Sequence, residues 1–294
     1  MKRNLVLGFV LLLVAATGFA QRSKDLNVIH GKFPTNAAKE PDFHAGGAGG
    51  AGQLIDHGGP IMTNAKVVYI FWGWPSSAAT ADAYVNNLIA FRDSQYGMIL
   101  HIGMLAQYRS TGSTGFKGTQ ADVFDANPPA QARVTDTMVM QKVAASCAAL
   151  SGGCRTDTVY EVFIPATHYS DDGSGATSCG GPNLAYCAYH GYGDGVNLAS
   201  NIKYSIEPYP SCSGCKGPAG WTDYHNQEHF VVHETREAMS DPQLNAWWDN
   251  AGYEADDKCA WGRNGSFLFQ ESKPDGRTYA YQMEYSNSSR KCVQ

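Results

Sequence analysis

His233, Glu234 and Glu237 stand in the run Phe230-Val231-Val232-His233-Glu234-Thr235-Arg236-Glu237-Ala238-Met239-Ser240-Asp241-Pro242. On a helix, side chains four residues apart lie on one face, so His233 and Glu237 could reach a single cation. With Glu234 beside His233, the pattern is that of the H-E-x-x-H zinc hydrolases, with Glu in place of the second His. In that arrangement the i and i+4 side chains ligate zinc, and the intervening Glu is the general base that acts on a metal-bound water. A carboxylate oxygen is an ordinary zinc ligand, so the exchange of His for Glu keeps the chemistry open. The same letters also describe a solvated helix face, and the surrounding sequence has to decide between the two.

A catalytic metal needs a third protein ligand. Glu254, in Gly252-Tyr253-Glu254-Ala255-Asp256-Asp257-Lys258-Cys259, is the expected one. Asp257 would then orient the ligating histidine by hydrogen bonding, as carboxylates commonly do around zinc. The bland alternative is an acidic loop tied down through Cys259. Asp241 is a second candidate ligand, although Asp-Pro is also a turn signal and Asp241 could instead cap a following helix. His229 lies four residues before His233, which gives a rival pair one turn up the same helix. His225 extends that stripe, and Arg236 is expected to pair with a carboxylate. His57, His168 and His190 could fold in from afar, but none has a partner at helical spacing.

These groups need elements to hold them. The helix that carries them begins near Trp221, with Thr222 as its cap, Asp223 favourable at its positive end and Pro242 as its stop. Strands are expected at 66–72, 158–165 and 202–209 from their β-branched and aromatic content, and near 266–270 and 278–284. Helices are expected at 80–94, capped by Thr80 or Asp82, and at 135–150, capped by Thr135 or Asp136 and stopped by Gly152-Gly153. Residues 97–110 read as a strand or short helix, 170–181 as a loop held by Cys179, and Trp247-Trp248 as a short helix or turn. Alternation of this kind predicts an α/β (or α+β) single domain. It would have a mixed sheet with packed helices, a zincin-like central helix and disulfide-stapled loops.

Composition narrows the class. A chain of 294 residues, 43% hydrophobic, can bury a full core, and a formal charge of -5 with no basic block gives no footprint for nucleic acid. Residues 1–20 read as a signal peptide: Lys2 and Arg3, an apolar run from Leu5 to Ala16, then Gly18-Phe19-Ala20. That run is too short to span a membrane, and no later one is long enough. Residues 21–52, ending in glycine and alanine, read as a flexible leader or linker, and 53–294 as the domain. The expected location is extracellular, or periplasmic in a two-membrane bacterium. The eight cysteines, Cys147, Cys154, Cys179, Cys187, Cys212, Cys215, Cys259 and Cys292, then read as disulfides. Neighbour pairing favours Cys147–Cys154, Cys179–Cys187 and Cys212–Cys215, leaving Cys259 with Cys292, while a zinc site on Cys212-Ser-Gly-Cys215 is the rival.

Several stretches together resemble the phosphate-induced, EXORDIUM-like family of secreted proteins. Asp56-His57-Gly58-Gly59-Pro60-Ile61-Met62 followed by Val67-Val68-Tyr69-Ile70-Phe71-Trp72-Gly73 resembles its opening. Cys187-Ala188-Tyr189-His190-Gly191-Tyr192 and Ile202-Lys203-Tyr204, with Cys212 and Cys215, resemble its middle. His233-Glu234, Glu237, Pro242, Asn245-Ala246-Trp247 and Glu254-x-x-Asp257-x-Cys259 resemble its most specific block. The similarity spans residues 54–262; Asp241 stands where plant members often have Asn, and Asp56 where the opening has Tyr. It implies an extracellular protein tied, in plants, to growth and wall extension. Two functions follow as expectations. One is a secreted zinc-dependent hydrolase, a peptidase, with zinc on His233, Glu237 and Glu254 and Glu234 as base. The other is a non-catalytic binding protein for peptide or cell-wall polymer, with a structural metal or an ion-pair network. Trp72, Trp74, Trp247 and Trp248 would suit such contacts, although Trp72 also suits a core.

Overall fold

The computed structural model describes residues 32–34, 52–262 and 265–294. Along the chain run β1 (Lys32–Pro34), β2 (Ile55–Asp56), β3 (Lys66–Trp72), α1 (Ala78–Ala81), α2 (Ala83–Asp93), β4 (Val123–Asp125), β5 (Arg133–Thr135) and α3 (Asp136–Ala149). Then come β6 (Thr158–Ile164), β7 (Tyr169–Asp171), β8 (Tyr186–Tyr192), β9 (Lys203–Pro208) and α4 (Asp223–Ser240). The chain closes with β10 (Trp247–Trp248), β11 (Leu268–Ser272), β12 (Thr278–Gln282), β13 (Glu284–Ser286) and β14 (Lys291–Val293).

Six strands form a mixed sheet in the order β1-β8-β9-β6-β3-β4. β9, β6, β3 and β4 run parallel, and β8 and β1 each join antiparallel to the neighbour before them. Helices cover both faces, which is why β3 and β6 are nearly continuous apolar runs. Alternation still sorts the side chains. Val68, Ile70, Tyr160, Val162 and Ile206 pack with Val139 and Val143 of α3. Val67, Tyr69, Phe71, Val159 and Phe163 pack on the other face with Leu88 of α2 and Val231 and Met239 of α4. The fold class read from the sequence is the one observed.

The two flanking helices start where their caps dictate. Asp82 accepts hydrogen bonds from the backbone of Tyr84 and Val85, and Thr135 accepts one from Met138. α4 starts at a capping box on Thr222 and His225. From His225 to Ser240 every residue of α4 is buried, although most are polar. A helix buried all round is normally apolar, so here each polar group must find a partner inside the molecule.

The structure corrects several expectations. Within the expected leader, Lys32–Pro34 is a strand paired with β8; the signal-peptide expectation lies outside the described residues. Trp247 and Trp248 pair with Asp56 and Ile55 as a short strand rather than a helix or turn. Of the two alternatives for residues 97–110 the short helix is the one observed, as 3-10 helices Met98–His101 and Gly103–Tyr108. The disulfides are Cys147–Cys154, Cys179–Cys212, Cys187–Cys215 and Cys259–Cys292. The two middle pairs are not sequence neighbours, because the 3-10 turn Ser213–Cys215 packs against β8, so that Cys215 within it and Cys212 just before it reach different segments. With Cys212 and Cys215 both in disulfides, the rival cysteine zinc site would need those bonds reduced, although Cys179, Cys212 and Cys215 lie close enough together to hold an ion. Among the described residues no helix is long and apolar enough to cross a membrane.

Candidate metal centre

α4 presents His233 and Glu237 from successive turns, and their facing atoms, Nε2 and Oε2, are 3.1 Å apart. Helix geometry alone produces that approach. The other groups come from elsewhere. β8 brings His190, whose Nδ1 lies 3.7 Å from the same Glu237 Oε2 and 3.2 Å from Glu234 Oε2. The segment after Gly252 brings Glu254, 3.8 Å from His190 Nε2, and Asp257, 3.7 Å from His233 Nε2. Glu237 is therefore shared by two sets that could each hold a cation: His190 with Glu254, and His233 with Asp257. His190, His233, Glu234, Glu237, Glu254 and Asp257 are all 3% exposed or less.

Hydrogen bonds hold these side chains in place. Glu237 Oε1 accepts from the backbone N–H of Asp256 and of Asp257, which turns Oε2 toward both histidines. His233 Nδ1 lies 3.2 Å from Gln282 Oε1, so an N–H there donates to the amide and leaves Nε2 facing the carboxylates. Asp257 Oδ2 accepts from the Glu254 N–H, which leaves Oδ1 on the His233 side. Beyond them, Arg236 pairs with Asp256, whose Oδ2 is 3.2 Å from Nε, and has Glu284 Oε2 at 3.9 Å.

Electrostatically this is a place for a cation or for protons. Burial pushes the carboxyls of Glu234, Glu237, Glu254 and Asp257 well above the usual carboxylate range, and the neighbouring carboxylates raise each of them further. Burial also pushes the His233 imidazole down, which keeps it neutral and able to ligate. Zinc bonds to nitrogen and oxygen are about 2.0–2.2 Å long, so tetrahedral ligands sit about 3.4 Å from one another. The observed spacings, 3.1 to 3.8 Å, bracket that value. No hydrogen bond satisfies Glu237 Oε2, Glu234 Oε1 or Asp257 Oδ1, which are all buried. An imidazole and carboxylate donor set suits a borderline divalent ion.

The expected ligands are thus divided between the two sets. His233 and Glu237 belong to one, and Glu237 and Glu254 to the other. Asp257 faces Nε2 of His233, a ligand place, while Gln282 rather than Asp257 partners Nδ1, the place expected to orient the ring. His229 belongs to neither set, and its ring packs against Trp221, Phe230 and Trp261. Asp241 ends α4, and its Oδ1 accepts from the N–H groups of Asn245 and Ala246, both at 2.6 Å. It organises the turn after the helix; among the described residues no α-helix follows for it to cap. His190 is the group that sequence spacing passed over. Beside its place in the family-like segment 187–192, its signal was Tyr186-Cys187-Ala188-Tyr189, a β-prone stretch; a Cβ on the following Gly191 would meet the Tyr204 ring at 3.2 Å.

No family model, no curated protein and no solved structure matches this chain. The functional reading therefore rests on the residues and their geometry.

Proposed function

We propose that this chain is an exported, disulfide-stapled metalloprotein with a zinc ion held by Glu237 together with His190 and Glu254, beside the second set of His233 and Asp257, and that it hydrolyses polypeptide there. The single observation that carries the reading is the shared Glu237 Oε2, 3.1 Å from one imidazole and 3.7 Å from the other. Glu254 completes the first set and Asp257 the second. When bound, the ion would polarise a carbonyl and lower the pKa of water. Glu234 gives one oxygen to His190 and keeps Oε1 for a proton from the attacking water, the role of a general base.

A second reading has its own support. Complete burial of every donor is the mark of a closed structural site, in which four ligands hold an ion and no substrate reaches it. Metal analysis of the wild type, Glu237→Ala and Glu234→Gln, with digestion of a broad peptide library, separates the two. The hydrolase reading expects one equivalent of zinc in the wild type, none in Glu237→Ala, and metal without digestion in Glu234→Gln. Digestion undiminished in Glu234→Gln, or absent from metal-loaded wild type, leaves the structural site. Far less than one equivalent in wild type supplied with zinc removes both.

A further inference from the structure

The sheet ends in a strand that the domain proper does not supply. β1 pairs antiparallel with β8, matching Lys32 with Tyr189, Phe33 with Ala188 and Pro34 with Tyr186, with the register slipping between Phe33 and Pro34. Take β1 away and β8 becomes the edge, with a row of backbone donors and acceptors open to pairing. We propose that this outer edge of β8 is a docking edge for an extended polypeptide, held in cis by residues 32–34. This deepens the hydrolase reading and rests on it for the meaning of the docked chain, which would be the substrate class.

Three features of β8 make it a prepared edge. Its residues from Tyr186 to Gly191 are buried, and β9 fixes its inner side through the pairs from Tyr189–Ile206 to Tyr192–Lys203. Cys187–Cys215 ties it to the 3-10 turn Ser213–Cys215. A rigid edge binds an extended chain without first ordering itself, which is how β-strand addition gains affinity from main-chain hydrogen bonds.

The place of the edge matters as much as its rigidity. β1 has Cα atoms within 8 Å of α4 and of the 3-10 turn Asp257–Cys259, as well as of β8. Those three elements carry His190, His233, Glu234, Glu237 and Asp257. A strand on this edge therefore runs alongside the donor cluster, and in this structure the strand there is the chain's own. It is also a weak occupant. Three residues give few ladder bonds, and Pro34 has no N–H to extend them.

The test uses the full chain with a specific protease site inserted between Gly49 and Gly50, cut after folding, and a labelled peptide of residues 28–38 as probe. Backbone amide exchange at Tyr186–Tyr189 is read before and after the cut, in metal-loaded and metal-stripped protein. After the cut and gel filtration, exchange at these amides should quicken about tenfold or more, as expected for an edge that has lost its ladder. The labelled peptide should bind and restore the protection. If the cut segment stays bound, excess peptide should exchange with it, and the full-chain variant Phe33→Pro should show the faster exchange instead. A peptide that neither binds nor exchanges, or amides unchanged once the segment has gone and in Phe33→Pro, overturns the docking edge. Peptide binding by protein that takes up no metal would leave the edge standing and remove the zinc reading alone. One equivalent of zinc with no peptide binding would do the reverse.

Discussion

His190 Nδ1 lies 3.7 Å from Glu237 Oε2, although one residue belongs to an antiparallel strand and the other to the buried helix that crosses it. This contact gives Glu237 a second imidazole neighbour beside the i, i+4 pair His233–Glu237. His190→Ala should therefore lower zinc affinity about a hundredfold, at least the upper range for losing a group that orients a ligand. His229→Ala, one turn up the helix, should leave affinity unchanged. Competition titration against a chromophoric chelator measures both. Equal affinities in the wild type and His190→Ala would return the site to the helix and the 254–257 segment alone.

Arg236 is the counter-charge for the acidic layer behind the cluster. It is 2% exposed and pairs with Asp256, with Glu284 close by. Removing one partner from a buried ion pair leaves the other charge uncompensated, so Arg236→Ala should cost about 3–5 kcal/mol of unfolding free energy. Urea denaturation of folded variant and wild type checks this. A loss well under 1 kcal/mol would mean that Asp256 and Glu284 are protonated rather than paired.

Glu161 on β6 predicts a pH dependence away from the metal. Burial pushes its carboxyl up to about 8, against the Thr235 hydroxyl that donates to Oε1 at 2.5 Å. A carboxyl raised in the folded state binds more protons folded than unfolded. Stability should then be highest below the unfolded value near 4.5 and fall as pH rises from there toward 8. The slope from this one group is at most about 1.4 kcal/mol per pH unit. Glu161→Gln should flatten that part of the stability curve in chemical denaturation at pH 5, 6.5 and 8. An identical pH profile in the variant would show that Glu161 titrates normally.

Non-reducing peptide mapping should find Cys179 linked to Cys212 and Cys187 to Cys215, with no free thiol. Replacing Cys187 and Cys215 together by Ser should cost roughly 2–4 kcal/mol, the usual range for a loop of moderate length. Recovery of a Cys212–Cys215 peptide from native protein would show that the turn does not pack on β8 as described.

Much of the local structure was legible because it depends on neighbours in sequence. The strand Lys66–Trp72 and the cap Thr222 follow from residue type and spacing, and Asp82 and Thr135 were each one of two readable caps. So did the meeting of His233 with Glu237, which one helical turn guarantees. Cys147–Cys154 and Cys259–Cys292 were also readable, the first because its partners are close and the second because it remained.

Tertiary structure decided the rest. His190 joins the cluster because β8 pairs with β9 and passes beneath α4, and no periodicity in the sequence encodes which strands become neighbours. The crossed pairs Cys179–Cys212 and Cys187–Cys215 depend on where the 3-10 turn packs. Asp241 could be read as ligand or cap, and only the folded chain gives its Oδ1 to the N–H groups of Asn245 and Ala246 while setting the residue near Glu254. Helical spacing fixes which side chains share a face, but burial is a property of the whole chain. Only the folded sheet and its covering segments could make the polar helix Asp223–Ser240 an interior one, and so gather its carboxylates where a cation or protons must balance them.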